Sequence, residues 1–182
     1  HLCDFLEVAT HTILRERRLY PAEVFADRRC FGVPVSIARH PEVEQYVKKT
    51  LKAVEPLLAV NAVEAVVIAI TDGTHGHCVE KFVFRLDPSG ALPQDAVDGP
   101  PNVADAVEAT EYALRALLAR LHLLEAKLPP QKEDAAWRLL LWMREGYDAS
   151  SILADPAAAR LVDATRSVAA QPLADASLVP VK

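Results

Sequence analysis

The fold of this chain is decided by Val66-Val67-Ile68-Ala69-Ile70 and, a few positions later, by Val79-Glu80-Lys81-Phe82-Val83-Phe84. The first stretch belongs to an apolar, β-branched run from Val63 to Ile70, which is typical of a central strand covered on both faces. Asp72-Gly73 then begins a turn, and Cys78 to Leu86 returns as a partner strand. The sequence therefore predicts an antiparallel hairpin in the middle of a sheet.

Helical patterns flank this hairpin. Apolar residues spaced by three and four positions predict a first helix with one buried stripe: Leu2, Phe5, Leu6, Ala9 and Ile13. Tyr20-Pro21 ends that helix. A second helix is predicted to start at Pro41, because the N–H that proline lacks has no partner in the first helical turn anyway. After a predicted surface loop over Asp87 to Pro101, a long third helix is expected to end at Pro129-Pro130.

Two further segments carry strand patterns. The segment from Arg28 to Arg39 has mixed β character, and its Gly32 and Pro34 predict an irregular or edge strand. Ala135 to Arg144 predicts another strand, with alternating large side chains. From Glu145 to Lys182 the chain is rich in Ala, Asp and Pro and holds only short apolar clusters, so we expect no separate core there.

Composition favours one domain in a reducing compartment. With 182 residues and 51% hydrophobic residues the chain can bury a single core. Its net charge of −5 argues against direct binding of nucleic acid, because phosphate contacts depend on clustered Lys and Arg. The 3 cysteines are widely spaced and odd in number, which disfavours a disulfide framework. No apolar run approaches the roughly 20 residues of a membrane span, so we expect a soluble protein without membrane contact.

No catalytic or metal-binding pattern is present. The common phosphate, dinucleotide, acyl-transfer and metalloprotease motifs are absent, so we predict no catalytic residue and no cofactor. His75, His77 and Cys78 lie close together and suggest zinc, with His40 as an imagined fourth ligand. Structural zinc sites usually show paired Cys-x-x-Cys or His spacings, which this chain lacks, so we interpret the segment as a polar hairpin loop and predict no metal. An unrecognised small enzyme remains the alternative outside binding proteins.

Specific stretches resemble the HORMA domain family, in particular its translesion-synthesis branch. The likeness rests on Cys3-Asp4-Phe5-Leu6-Glu7-Val8-Ala9, Tyr20-Pro21, His40-Pro41-Glu42 and the strand pair quoted above. It is nearly continuous from Cys3 to Leu86 and weaker afterwards. It implies an α+β fold in which an antiparallel sheet packs against three helices and a C-terminal safety-belt segment wraps over a bound peptide. We accordingly expect a single HORMA domain over 1–182, with a core at 1–144 and a truncated belt at 145–182.

The resemblance also implies a peptide-binding site. Tyr46 matches the family tyrosine that lines the pocket for proline-containing peptides, and Ser151-Ile152-Leu153-Ala154-Asp155 matches the belt motif. Ser151 stands where close family members place a tryptophan that packs on the peptide, so that contact is expected to be weaker here. Tyr46, Ser151, Ile152 and Leu153 are therefore the predicted peptide-binding residues. A half-buried helix aromatic is the alternative interpretation of Tyr46.

Two further contacts follow from the resemblance. Leu178, in Leu178-Val179-Pro180-Val181-Lys182, matches a belt strand that faces the scaffold polymerase of translesion synthesis, and Arg115 matches an arginine of HORMA dimers. The alternative interpretation of Arg115 is an ordinary solvated side chain. The expected function is a non-catalytic, nuclear and also cytoplasmic adaptor. It would capture a proline-containing motif of the catalytic subunit of DNA polymerase zeta and form HORMA homo- or heterodimers. The alternative within the family is a spindle-checkpoint or chromosome-axis protein that regulates the cell cycle.

Overall fold

The computed structural model describes residues 2–86, 103–148, 152–153 and 160–162. In chain order its elements are α1 (Leu2–Glu16), a short 3-10 helix (Ala22–Val24), β1 (Phe25–Cys30), β2 (Val33–Ala38), α2 (Pro41–Ala59), β3 (Val63–Thr71), β4 (Cys78–Arg85), α3 (Val103–Leu121), α4 (Leu124–Lys127) and β5 (Ala136–Met143). The chain divides into two compact units, 1–47 with 89–131 and 48–88 with 132–182. Among the helices of the described residues, none is long and apolar enough to cross a membrane.

In the first unit, α1 is buried far more completely than one apolar stripe predicts. Every residue from Val8 to Leu14 is buried, including two threonines and a histidine. The hydroxyl groups of Thr10 and Thr12 donate to carbonyl oxygens one turn back, and His11 Nδ1 accepts a 3.4 Å hydrogen bond from the backbone N–H of Ala38 in β2. These bonds satisfy polar groups that would otherwise make burial costly, which explains why the buried surface of α1 is wider than its apolar pattern.

The prediction of a single irregular strand from Arg28 to Arg39 is wrong, because this segment belongs to a two-stranded hairpin. β1 and β2 pair antiparallel, with Cys30 opposite Val33 and Phe25 opposite Ala38. Between them Phe31 and Gly32 both have positive φ, 52° and 76°, as the tightest hairpin turns require. Phenylalanine rarely adopts this conformation, so the residue types at the turn did not reveal it.

The helices begin where the sequence predicts, but the third is divided. α2 starts at Pro41, as predicted, and extends to Ala59. α3 ends at Leu121, and a separate short helix, α4, follows at Leu124–Lys127, before Pro129. The predicted surface loop over 87–101 lies outside the described residues.

The second unit contains a three-stranded antiparallel sheet in the order β4-β3-β5. β3 is buried along almost its whole length, as the apolar run from Val63 to Ile70 predicts, and it pairs with β4 on one side and β5 on the other. The predicted strand over Ala135 to Arg144 is confirmed as β5. The central-strand prediction for β3 is correct because a strand with two neighbours and two covered faces needs apolar side chains at successive positions.

The two faces of this sheet differ in the size of their central side chains. One face carries larger residues, namely Val66, Ile68, Ile70, Phe82, Phe84, Leu139 and Leu141. On the other, β3 contributes only Ala65, Val67 and Ala69, and the larger Leu140 and Trp142 of β5 pack against them with partly buried Cys78 and Val83. This small central column leaves room for the side chains of the outer strands.

Candidate peptide-binding edge

The outer edge of β5 already receives a short backbone segment. β5 pairs with β3 on its inner side, and on its outer side Leu141 forms an isolated parallel bridge with Val162. The backbone N–H of Leu141 donates to the carbonyl oxygen of Leu161 at 2.8 Å. The outer edge of β5 thus forms a β-bridge with a later part of the chain itself.

Chemically, this edge can bind an extended peptide. Backbone groups of an antiparallel strand alternate in direction, so Leu139, two positions before Leu141, also directs its N–H away from β3. Outward donors and acceptors of an edge strand form a template for a further strand, on which main-chain hydrogen bonds give general affinity and side-chain contacts give specificity. Edge strands usually carry charged residues that prevent this pairing, but Leu139 to Trp142 are all apolar and buried.

Arg144 fixes the point at which the chain leaves the sheet. Its backbone N–H donates to Ala62 O at 2.9 Å, its Nε donates to Asn61 O at 3.1 Å, and its Nη2 donates to the carbonyl oxygen of Leu86. One side chain thus joins the start of β3 to the end of β4 immediately after β5. The predicted belt segment, 145–182, begins from this fixed position.

The predicted peptide-binding residues lie in different parts of the chain. Tyr46 is on α2 in the first unit, where its side chain is 42% exposed. Ile152 and Leu153 belong to the second unit and are partly buried. Ser151 and Leu178 lie outside the described residues. The grouping of these residues in one pocket therefore stays a prediction, as does the division of the chain at 144.

Arg115 lies on α3 and contacts the β1–β2 turn. Its Nη2 forms a 3.1 Å ion pair with Glu111 one turn earlier. Its Nε lies 3.5 Å from the position that a Cβ on Gly32 would occupy, so the guanidinium group covers the turn glycine. The side chain is still 41% exposed, which leaves surface for a partner. Its role in dimerisation stays a prediction.

The histidines after β3 lie in a polar loop. His75 and His77 stack with ring centroids 5.7 Å apart, and the backbone N–H of His75 donates to Asp72 at 2.7 Å. This hydrogen bond is the main reason why the pKa of the Asp72 carboxyl is lowered. No group of three or more His, Cys, Asp or Glu side chains in the described residues is placed to hold a metal ion.

Sequence reasoning missed the pairing of Leu161 with Leu141 and the hydrogen bonds of Arg144. Leu161-Val162 was visible as a short apolar cluster in a polar segment, which is a weak strand signal. Arg144 gave no signal, because hydrogen bonds from a side chain to distant carbonyl oxygens leave no periodic pattern in the sequence.

Helices combined with antiparallel sheets, in the element order of this chain, define an α+β domain. The HORMA domain family model matches residues 2–145, so the chain belongs to the HORMA domain family. The mitotic spindle assembly checkpoint protein MAD2B of Bos taurus is 38% identical over 144 residues, covering 79% of this chain and 64% of the relative. The DNA polymerase zeta processivity subunit of Schizosaccharomyces pombe is 26% identical over 167 residues, covering 90% of this chain and 78% of the relative.

Comparison with solved structures confirms the fold. A chain in the crystal structure of the mitotic checkpoint complex superposes with a TM-score of 0.69 at 21% identity, covering 85% of this chain and 79% of that one. The predicted α+β HORMA fold is therefore correct. The chain spans 64% of the length of the MAD2B relative, so the partners and the activity of the whole protein remain matters for proposal.

Proposed function

We propose that this protein is a non-catalytic adaptor that captures an extended, proline-containing segment of a partner at the outer edge of β5. The observation that carries the proposal is the hydrogen bond from the backbone N–H of Leu141 to the carbonyl oxygen of Leu161. It is a backbone contact at the edge of β5 to which the partner segment is proposed to bind. Members of the HORMA family bind peptide segments of partner proteins. The described part of this edge, Leu139 to Trp142, offers backbone hydrogen bonds and buried apolar side chains, which suit peptide binding. It carries no side chain that could act as a general acid or base.

The proposed partner is the catalytic subunit of DNA polymerase zeta, with the protein as an accessory subunit in translesion synthesis and DNA repair. This is supported by the name of the Schizosaccharomyces pombe relative, a processivity subunit of that polymerase. A scaffold translesion polymerase is proposed to bind at Leu178. Such a role places the protein in the nucleus, with a further pool in the cytoplasm.

A checkpoint or chromosome-axis role is the second candidate, and the name of the Bos taurus relative, a spindle assembly checkpoint protein, supports the checkpoint form of it. Both roles would use the same edge of β5 and differ in the partner segment. Affinity capture of the protein from nuclear extract, followed by mass spectrometry, separates them. Recovery of polymerase zeta subunits supports the first role, and recovery of checkpoint or axis proteins without them supports the second.

The mode of binding is tested with a proline-containing peptide in which single backbone nitrogens are methylated. A methyl group removes a donor and blocks close approach of the strands, and only alternate nitrogens of an added strand face β5. Binding should therefore fall at every second position, by about fivefold to tenfold, since one hydrogen bond contributes about 1 kcal/mol net. The intervening positions serve as matched controls. Equal losses at adjacent positions would contradict strand addition.

A further inference from the structure

A set of cations lies on the sheet face that carries the small central column of β3. Strand register places three rows across this face: Lys81, Ala69 and Arg138 in one row, Val83, Val67 and Leu140 in the next, and Arg85, Ala65 and Trp142 in the third. Neighbouring strands are about 4.8 Å apart, so Lys81 and Arg138 stand on either side of Ala69 with backbones roughly 10 Å apart. The bulky side chains of both outer strands thus border the column of small residues.

Trp142 fills much of the space above this column and holds two of the cations. Lys81 Nζ lies 5.7 Å and Arg85 Cζ 5.8 Å from the ring centroid of Trp142, within the range of cation–π attraction. The tryptophan is only 7% exposed, and Ala65, Val67 and Ala69 are fully buried. The apolar floor is therefore covered, and the exposed side chains on this face, Arg85 and Arg138, are charged, while Lys81, Val83 and Cys78 are partly exposed.

The described residues of this face carry an excess of positive charge, in a chain whose net charge is −5. Arg85 and Arg138 are exposed and Lys81 is partly exposed. Glu64 lies 3.2 Å from Arg85 Nη1 and offsets that cation, which leaves Lys81 and Arg138 as the excess charge. Both also act on Cys78 beside them: burial raises the pKa of its thiol, and these two cations oppose the shift.

The indole N–H of Trp142 is a buried donor on this face. Trp142 Nε1 is buried and meets no acceptor among the described residues. A buried donor without an acceptor is costly and uncommon in native proteins. A carboxylate that bound Lys81 and Arg85, the two cations over the ring, would accept from this N–H once their side chains moved apart.

We propose that the face formed by Lys81, Arg85, Arg138 and Trp142 is a second interaction surface, which binds an acidic segment of a partner protein. The partner presents carboxylates to Lys81 and Arg138, which border the column of small residues on its two sides. This surface is distinct from the outer edge of β5, so its occupation does not depend on the proposed capture of a proline-containing peptide. A protein partner is favoured over nucleic acid because the chain is acidic as a whole and Trp142 is too buried for bases to stack on it.

The experiment measures binding of a fluorescein-labelled peptide that alternates glutamate and leucine, with a glutamine-for-glutamate peptide as its counterpart. The full chain should bind the acidic peptide, bind it less tightly as salt rises, and not bind the glutamine peptide. The double variant K81Q/R138Q should weaken binding about tenfold, as expected for the loss of two surface ion pairs. The matched control K49Q/K52Q changes the net charge equally, but on exposed positions of α2, and should leave binding unchanged.

A second readout locates the contact. In a Trp137→Phe background Trp142 is the remaining tryptophan, and its fluorescence should change when the acidic peptide binds and stay constant with the glutamine peptide. Circular dichroism checks that each variant is folded. Equal weakening by both double variants, an unchanged Trp142 signal, or tighter binding of a single-stranded oligonucleotide of equal charge would each overturn the proposal.

Discussion

The backbone N–H of Leu141 donates a hydrogen bond to the carbonyl oxygen of Leu161 at 2.8 Å, and the bridge between Leu141 and Val162 runs parallel. The parallel direction of this bridge contrasts with the antiparallel pairing of β5 with β3. A single hydrogen bond contributes about 0.5 to 1.5 kcal/mol net. A partner strand that pairs along the length of β5 makes several such bonds, so it can compete with the segment at Leu161 and Val162 for this edge.

Weakening the segment at 160–162 should strengthen the binding of a partner peptide. Leu161 and Val162 are both partly buried, and replacing both by serine removes apolar contacts without altering the backbone. We expect the affinity for a proline-containing peptide to rise by about threefold to tenfold, because less competition has to be overcome. Isothermal titration calorimetry of the variant and the wild type measures this change in affinity. Weaker binding would instead mean that these residues hold the peptide in place.

Tyr46 is predicted to contact the bound peptide. The Tyr46→Ala variant should lose about 1 to 3 kcal/mol of binding free energy, the range for removal of a packed aromatic contact residue. Its stability should change little, since the side chain is 42% exposed. The control is Tyr112→Ala, which removes a tyrosine that is 71% exposed on α3. Equal affinities of the Tyr46 variant and the wild type, measured by calorimetry, would remove Tyr46 from the site.

Arg115 is predicted to lie at a dimer surface on α3. The Arg115→Ala variant should stay folded but self-associate less, as followed by sedimentation velocity over a range of concentrations. Arg120→Ala is the matched control, because it removes an exposed cation from the same helix. A wild-type protein that sediments as a monomer at every concentration, with and without peptide, would leave Arg115 only its observed contacts with Glu111 and the turn at Gly32.

The loop between β3 and β4 packs tightly on the turn before β5. A Cβ added to Gly73 would lie 2.1 Å from the carbonyl oxygen of Asp134, and Thr74 donates to the Asp134 carboxylate at 2.8 Å. The Gly73→Ala variant should lower the free energy of unfolding by about 2 to 3 kcal/mol, because backbone atoms must move apart. Gly76→Ala, with φ at 69° and no atom within 4 Å, is the control.

We expect the control variant to lose about 1 kcal/mol through backbone strain alone. Denaturant unfolding of both variants measures how much free energy of unfolding each one loses. A Gly76→Ala variant that is less stable than Gly73→Ala would show that the two loops do not pack in this way.

The parts of the fold that the sequence predicted have local physical causes. The apolar run of β3 and the proline at the start of α2 each leave a pattern within a few residues, and both elements were predicted correctly. The β1–β2 hairpin was missed because its turn places Phe31, a residue that rarely adopts positive φ, where Asn or Gly is expected.

The candidate site was harder to predict because it depends on contacts between distant residues. Leu161 meets Leu141, and Arg144 meets Leu86, through backbone carbonyl oxygens that every residue type carries. The residue types at these positions therefore give no sign of the pairing. Tyr46 and Arg115 could be proposed only from resemblance to a family, since a tyrosine or an arginine on an exposed helix face has no distinctive pattern of its own.

The central claim, strand addition at the outer edge of β5, is tested most directly by amide hydrogen exchange at single-residue resolution. Leu139 and Leu141 direct their N–H groups outward, whereas those of Leu140 and Trp142 point toward β3. On addition of a proline-containing peptide, protection should rise at Leu139 and stay unchanged at Leu140. Tight peptide binding that leaves the exchange rate of Leu139 unaltered would contradict the account.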